Sequence, residues 1–228
     1  MRIEPLGDSA LLVRLIEEFD PDKSLDAILL GVRALERAAI PGLLEIVPAY
    51  TTLGIFLDPA RIAAFDELKT AIERALENSL EPERSRAEMG SVIEVPVCYE
   101  SEFAPDLVEV ARRSGLEEEE VVRRHSSASY RVACVGFTPG FPYLSGLPPE
   151  LATPRRANPR KEVPAGAVAI GGTQTGVYPR KSPGGWNIIG RTPLRLFEVE
   201  RQPPAQFRAG DHVRFRRISR TEYEQLSA

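Results

Sequence analysis

Two amphipathic segments alternate with short apolar stretches in the first third of the chain. In residues 25–35 and 62–76, apolar side chains recur every three or four positions, which predicts two helices that each bury one face. An Asp-Pro pair, typical of a helix start, precedes each segment, at Asp20 and at Asp58. Three stretches are strand candidates: residues 3–15, 43–47 and 51–57. This order predicts a small α/β sandwich with both helices on one side of the sheet.

A polar, charged segment then interrupts the apolar pattern. Residues 78–90 contain Pro82 and show neither a helical nor a strand period. Few contacts are expected to cross such a segment, so it predicts a domain boundary. We therefore expect two domains, residues 1–84 and residues 85–228.

The remainder of the chain opens with a strand and two short helices and then changes to short strands. Residues 91–99 predict the strand, and residues 105–114 and 117–124 predict the helices, the first with Leu107, Val108 and Ala111 facing inward. Six further strands are expected at residues 130–135, 163–170, 176–178, 186–190, 194–198 and 212–218. Many short strands separated by glycine and proline predict a closed β-barrel, which makes the whole chain α+β.

Composition narrows the functional classes. The 228 residues are 43% hydrophobic and carry a formal net charge of −4, which gives no reason to expect a nucleic-acid surface. We find no apolar stretch of membrane-spanning length and no signal-peptide core near Met1, so we expect a cytoplasmic protein without a membrane partner. Cys98 and Cys134 lie in strand-like runs and are expected to be buried thiols, or a disulfide if their strands are neighbours.

Glycine, proline and aromatic residues are concentrated in residues 136–143, 166–176 and 182–193. Their combination describes a rigid, shaped surface, because glycine allows close backbone approach and proline fixes the chain direction. Two interpretations remain open: a concave site with aromatic walls, or a barrel whose aromatic residues fill its own core. The candidate walls are Phe137, Phe141, Tyr143, Tyr178 and Trp186, and the candidate cationic rim is Arg155, Arg156, Arg160, Arg180, Lys181 and Arg191.

Other motifs give weaker evidence of function. Residues 171–176 form a glycine-rich loop, but no Lys-Ser or Lys-Thr pair follows its last glycine directly, so it is not a P-loop. A nucleotide phosphate meeting the backbone amides of this loop stays an alternative. His125 and His212 lack metal-ligand spacing, and no metal site is expected. His125 ends a predicted helix, where it is either structural or a catalytic base. Arg155 and Arg156 follow Pro154, Arg160 follows Pro159, and the guanidinium groups of these three arginines suit a carboxylate or phosphate.

Together, these motifs resemble one family. Its signature is carried by 136-GFTPGFPYL-144, 154-PRR-156, 163-VPAG-166, 174-QTGVYP-179, 182-SPGGW-186 and 189-IGRTP-193. The chain is identified from them as a member of the allophanate hydrolase subunit 1 family, also called the KipI family. That family includes the B subunit of the bacterial 5-oxoprolinase complex, and the resemblance extends over essentially the whole chain.

The resemblance implies a small α/β domain followed by a cyclophilin-like β-barrel. It also implies partners, namely a C-type 5-oxoprolinase subunit and a third subunit, and a reaction in which the complex consumes ATP and converts 5-oxoproline to glutamate. Other branches of the family imply alternatives: inhibition of a sporulation-type histidine kinase, or allophanate breakdown beside urea carboxylase. The motifs do not separate these branches.

Residue chemistry and placement within these motifs predict roles at a 5-oxoproline site. Arg160 and Arg191 are expected to bind the carboxylate and the developing charge, with His125 as a further catalytic candidate. Gln174 and Tyr178 are expected to orient the substrate. The remaining predicted substrate contacts are Phe137, Phe141, Tyr143, Arg155 and Trp186.

Overall fold

A computed structural model describes residues 1–20, 23–62, 64–77 and 92–227. The chain divides into two compact units, Met1–Met89 and Gly90–Ala228. The boundary expected between residues 84 and 85, like the whole polar segment 78–90, lies outside the described residues.

The first unit is an antiparallel sheet with two helices. Its elements are β1 (Arg2–Pro5), β2 (Ala10–Arg14), α1 (Lys23–Ala38), β3 (Leu43–Ala49), β4 (Thr52–Leu57) and α2 (Phe65–Glu77). The sheet order is β1-β2-β4-β3, with antiparallel pairing throughout. Alternate residues of β2 and β4, among them Leu11 and Ile55, form one buried cluster with Ile28 of α1 and Ile72 of α2. Both helices therefore cover the same face of the sheet, as the apolar periods predict.

The second unit is built around a closed barrel. Its elements are β5 (Val92–Cys98), α3 (Leu107–Ser114), α4 (Glu118–Ser127), β6 (Tyr130–Val135), β7 (Pro142–Ser145), β8 (Arg160–Val163), β9 (Ala167–Gly171), β10 (Gln174–Val177), β11 (Ser182–Gly184), β12 (Asn187–Arg191), β13 (His212–Ile218) and α5 (Arg220–Ser227). The barrel order is β10-β7-β6-β13-β5-β12-β9, and β9 pairs with β10 to close it. Strands β8 and β11 form a separate two-stranded sheet. The predicted α+β class with a closed barrel is confirmed.

The barrel has two apolar faces. Val168 and Ile170 of β9 belong to the large cluster that fills the barrel, which we call the interior core. Ala167 and Ala169 of the same strand belong to a second, smaller cluster. Since successive side chains of a strand point to opposite faces, this second cluster lies on the outer surface of the barrel.

Several predicted elements need correction. The strand expected at 163–170 is two strands, because Gly166 adopts a positive φ of 79° and turns the chain between β8 and β9. The strand expected at 194–198 is absent from the described structure apart from an isolated bridge between Phe197 and Ala205. In α3, Val108 is exposed and Val110 takes the buried position instead. Strands β7 and β11 were not predicted.

Candidate functional site

The aromatic residues of the glycine-rich motifs assemble on the outer face of the barrel. Phe141, Tyr143, Tyr178 and Trp186 pack with Val163, Ala167, Ala169 and Ile188, and we call this set the outer aromatic cluster. Phe141 lies at its centre, with ring centroids 4.9 Å from Tyr143, 5.2 Å from Tyr178 and 5.5 Å from Trp186, all edge-to-face. This arrangement suits the ring quadrupoles and adds to the gain from burial alone.

Three glycines leave the space that these rings occupy. A Cβ on Gly171 would lie 2.5 Å from the Trp186 ring, and one on Gly176 would lie 2.9 Å from the Phe141 ring. A Cβ on Gly184 would lie 2.4 Å from the Tyr178 hydroxyl oxygen. The repeated pairing of glycine with an aromatic residue in the sequence thus reflects close packing of each ring on a strand backbone.

The cluster is closed, which corrects the expectation of an open aromatic cleft. Phe141, Tyr178 and Trp186 retain only 2%, 2% and 5% of their surface. Tyr143 is half-buried, and Gln174 lies nearby on the outer face of β10, also half-buried. The sequence left two interpretations open, an aromatic-walled concave site or an aromatic core. The second interpretation fits these three rings, although the core that they fill lies on the outer face of the barrel.

Phe137 is the exception, since it contacts the cluster from outside and is 63% exposed. Its ring centroid lies 5.6 Å from that of Phe141 and 6.4 Å from that of Tyr178. The Thr138 amide donates to the Gly136 carbonyl at 2.7 Å, which closes a three-residue γ-turn around Phe137 with a φ of 64°. A bulky residue at positive φ is strained, and such strain is often found at functional sites.

Thr138, the next residue in this turn, adds a second energetic cost. Thr138 is buried, and its hydroxyl oxygen has no hydrogen-bond partner among the described residues. Its backbone carbonyl accepts from the Phe141 amide at 3.0 Å, across a tight turn that contains Pro139 and Gly140. A buried hydroxyl without a partner destabilises the folded chain. Sequence reasoning missed Thr138, because no pattern distinguishes a satisfied threonine from an unsatisfied one.

Two of the predicted rim arginines are held by a buried carboxylate. Asp106, 4% exposed, accepts from Arg156 at 2.7 Å and from both terminal nitrogens of Arg160 at 2.7 and 2.9 Å. It also accepts from the backbone amide of Ile188 at 2.7 Å. This contradicts the expectation that Arg156 and Arg160 form a free cationic rim, since both guanidinium groups already bind a carboxylate of the chain. The sequence analysis did not consider Asp106, the aspartate just before α3, as the partner of these arginines.

Arg155 remains at the edge of the cluster. It is exposed, and its guanidinium carbon lies 5.8 Å from the centroid of the Trp186 ring, in a cation–π contact. Burial raises the pKa of the Tyr143 and Tyr178 hydroxyls, and the nearby Arg155 charge partly opposes that rise. Among the described residues, Arg155 has no ion-pair partner. Phe137, Arg155 and the cluster beneath them form our candidate site.

Of the other predicted cations, Arg191 and Lys181 make contacts of their own. Arg191 donates through Nε to the Ala165 carbonyl at 2.9 Å. Lys181 pairs with Glu162 at 2.6 Å, and both side chains are exposed. Arg180 is exposed.

His125 lies in the interior core, not at the candidate site. Its ring is fully buried, stacks on Phe215 with centroids 4.5 Å apart, and bonds through Nδ1 to the Tyr99 hydroxyl at 2.9 Å. Nε2 bonds at 3.0 Å to the Thr175 hydroxyl, which itself donates to the Ala169 carbonyl. Nε2 therefore carries the proton and Nδ1 accepts from Tyr99.

Burial lowers the pKa of the His125 imidazole to about 3. A neutral ring with both nitrogens occupied and no exposed surface does not fit the catalytic-base role proposed from the sequence.

The structure also bears on anion, metal and redox chemistry. The Gly172 amide of the glycine-rich loop donates to the Thr153 carbonyl at 2.7 Å, so this amide does not fit a nucleotide phosphate. In the described parts of the chain, no group of three or more potential ligands could hold a metal ion. Cys98 and Cys134 are both buried, and neither forms a disulfide. Within the same residues, no helix has the length and apolar character needed to cross a membrane.

Comparison with known proteins places the chain in a family. The family model for the carboxyltransferase domain, subdomain C and D, matches residues 1–207. The chain belongs to this carboxyltransferase family. The family assignment predicted from the motifs is confirmed, because two relatives at 42% identity are B subunits of a 5-oxoprolinase, the protein that the motifs suggested.

The relatives of this carboxyltransferase-family chain match it over most of their length. It is 42% identical to the 5-oxoprolinase B subunit of Bacillus subtilis (strain 168), over 97% of this chain and 95% of that protein. It is also 42% identical to the 5-oxoprolinase B subunit of Escherichia coli O157:H7, over 92% of this chain and 93% of that protein. The solved structure of a protein called TTHA0988 superposes with a TM-score of 0.78 at 40% identity. That match covers 92% of this chain but 40% of the longer TTHA0988 chain.

Proposed function

We propose that this carboxyltransferase-family chain is the B subunit of a 5-oxoprolinase, an assembly of several subunits that opens 5-oxoproline to glutamate while hydrolysing ATP. The observation that carries the proposal is 42% identity to the 5-oxoprolinase B subunit of Bacillus subtilis over nearly the whole of both chains. The expected partners are a C-type subunit and a third subunit.

The reaction adds water across the ring amide bond of 5-oxoproline. The carbonyl carbon gains an oxygen and becomes the side-chain carboxylate of glutamate, and the ring nitrogen leaves as the α-amine. ATP hydrolysis to ADP and phosphate supplies the driving force. The Gly172 amide already donates to the Thr153 carbonyl and does not support a nucleotide contact, and we assign ATP to the assembly as a whole.

The predicted substrate contacts divide into two groups in this structure. Phe141, Tyr178 and Trp186 shape the outer face from within, since they are buried. Phe137 and Arg155 are exposed and can meet a substrate or a partner directly. A chain whose aromatic cluster is closed, and whose remaining predicted contacts are exposed, is suited to a site completed by another subunit.

Reconstitution with systematic omission tests this function. We expect the purified B, C-type and third subunits together to release glutamate, ADP and phosphate in equal amounts from 5-oxoproline and ATP. Omission of any subunit, or of ATP, should abolish glutamate release. A complete mixture that forms no glutamate would contradict the proposal, and inhibition of a histidine kinase by the chain alone would then favour the regulatory branch.

Arg191→Ala tests the predicted carboxylate contact. Its guanidinium group is tied to the chain by a single bond from Nε, whereas Arg160 also holds Asp106, so Arg160→Ala would confound binding with folding. We expect Arg191→Ala to raise the KM for 5-oxoproline, with Arg180→Ala as the exposed control. An unchanged KM would remove Arg191 from the site.

A further inference from the structure

An exposed apolar ring and a cation without an ion pair lie over the same aromatic cluster. Phe137 projects from the cluster with 63% of its surface exposed. Arg155 lies over the Trp186 ring at 5.8 Å, and it has no carboxylate partner in the described ranges 1–20, 23–62, 64–77 and 92–227. Aromatic residues and arginine are the side chains that most often carry the binding energy of a protein interface.

The charges around this edge are unbalanced. Arg156 and Arg160 share the single carboxylate of Asp106. Arg155, next to Arg156 in the chain, lies over the Trp186 ring and has no ion-pair partner among the described residues, so its charge is not balanced by a carboxylate of this chain. A partner that fits here must bring negative charge.

The turn that presents Phe137 is also held at a cost in the separate chain. Phe137 has a φ of 64°, and the buried Thr138 hydroxyl beside it has no partner in the described structure. In this turn the Phe137 ring contacts Phe141 and Tyr178 on one side and leaves most of its surface exposed. Backbone strain of this kind persists where the surroundings enforce it, often as part of a binding function.

We propose that Phe137 and Arg155 form a docking surface for a protein partner whose contacting segment offers an apolar pocket edged by a carboxylate. A protruding ring enters a pocket on its partner, whereas a small ligand requires a concavity on this chain, and the cluster beneath Phe137 is closed. The partner's carboxylate pairs with Arg155. This inference rests on the proposed function, because the partner is taken to be the C-type subunit of the same assembly.

Trp186 provides a local signal for this contact. It is the single tryptophan of the 228-residue chain, and it lies directly under Arg155. When a carboxylate engages Arg155, the position of the guanidinium group over the indole changes, and so does the emission of Trp186. Tryptophans of the partner are avoided by labelling this chain with 5-fluorotryptophan and following its fluorine resonance.

The test is a calorimetric titration of the C-type subunit into the wild-type chain and four variants. We expect Phe137→Ala to weaken binding by about 30-fold or more, in the range of an interface hot spot. Arg155→Gln should weaken binding roughly 10-fold and flatten its dependence on salt. The matched controls are Phe65→Ala, an exposed phenylalanine of the first unit, and Arg214→Gln, an exposed arginine of the second. Both should bind as wild type.

The outcomes separate this inference from the proposed function. If Phe137→Ala and Arg155→Gln hold the C-type subunit as tightly as the wild type does, or if the wild type does not hold it, the docking surface is wrong. Glutamate release by the full mixture would still uphold the function in the first case. If the variants lose binding as expected but the wild-type mixture forms no glutamate, the docking surface stands and the function is wrong. Unfolding midpoints of both variants show whether the fold is intact.

Discussion

The two apolar regions of the second unit share the same strands but are built differently. The interior core is mainly aliphatic, and the polar group at its centre, His125, has both ring nitrogens bonded. The outer aromatic cluster is packed onto glycine backbone, and its rim carries a strained Phe137 and an unsatisfied Thr138 hydroxyl. The strained backbone of Phe137 thus lies on the face that we assign to binding, while the well-satisfied interior supplies the stability.

The largest effect is expected at Asp106, which joins α3 to the outer cluster. Asp106→Ala leaves two arginines, 34% and 24% exposed, without their carboxylate, and it also removes the acceptor for the Ile188 amide. Because the arginines can partly reach water, we expect a loss of about 2–4 kcal/mol in the free energy of unfolding. Denaturant unfolding measures this loss.

Glu109 on the same helix provides the matched control. It also binds two arginines, Arg112 and Arg113, but its side chain is 38% exposed, against 4% for Asp106. Glu109→Ala should therefore leave stability nearly unchanged. Equal losses at Asp106 and Glu109 would show that burial does not decide how much such a carboxylate contributes.

The next effect concerns pH and the interior core. The pKa of His125 is about 3 in the folded chain against about 6.5 when unfolded, so below pH 6.5 the unfolded state takes up a proton that the folded state does not. Stability should then fall as the pH falls, by about 2 kcal/mol between pH 6.5 and 5, where carboxylates stay ionised.

Unfolding curves at several pH values measure this slope. His125→Gln should lower stability at neutral pH but lose this part of the slope. A variant that keeps the full slope would show that other groups cause it.

A third, smaller effect tests the glycine gaps of the outer cluster. Gly184→Ala places a methyl group against the Tyr178 ring and hydroxyl, so we expect a loss of about 1–3 kcal/mol in thermal or denaturant unfolding. Gly185→Ala is the adjacent control, because its added carbon would lie 3.6 Å from the nearest atom. If both alanines behave alike, ring packing does not explain the glycine.

The smallest effect has the opposite sign. Thr138→Val removes a buried hydroxyl that has no partner in the described structure and keeps the side-chain shape. We expect a gain of about 0.5–1 kcal/mol in the stability of the separate chain, measured by denaturant unfolding. Thr175→Val, which breaks the bond to His125, should instead destabilise the chain. A loss of stability in Thr138→Val would mean that the hydroxyl is satisfied.

The sequence predicts most of the architecture because it depends on local patterns. Helical spacing predicts α1 and α2, and glycine and proline mark the short barrel strands. The errors occur where tertiary contacts decide. Val110 replaces Val108 as the buried residue of α3, and the turn at Gly166 divides a stretch that reads as one strand.

The candidate site is less predictable for a physical reason. Residue types show that aromatic and cationic groups are concentrated, but not which of them are already paired. Arg156 and Arg160 look identical to Arg155 in the sequence, and the difference is Asp106, about fifty positions away. His125 likewise changes from a candidate base to a buried structural group only through its contacts with Tyr99 and Thr175.

The position of β13 has a consequence for how the chain is made. This strand lies between β5 and β6, parallel to the first and antiparallel to the second, so residues more than a hundred positions apart in sequence must meet before the cylinder can seal. During synthesis, all the other barrel strands therefore leave the ribosome before β13, the strand that closes the barrel. Contacts of such long sequence separation slow folding. Until β13 is made, the edges of β5 and β6 that pair with it stay unpaired, and unpaired strand edges are prone to aggregation.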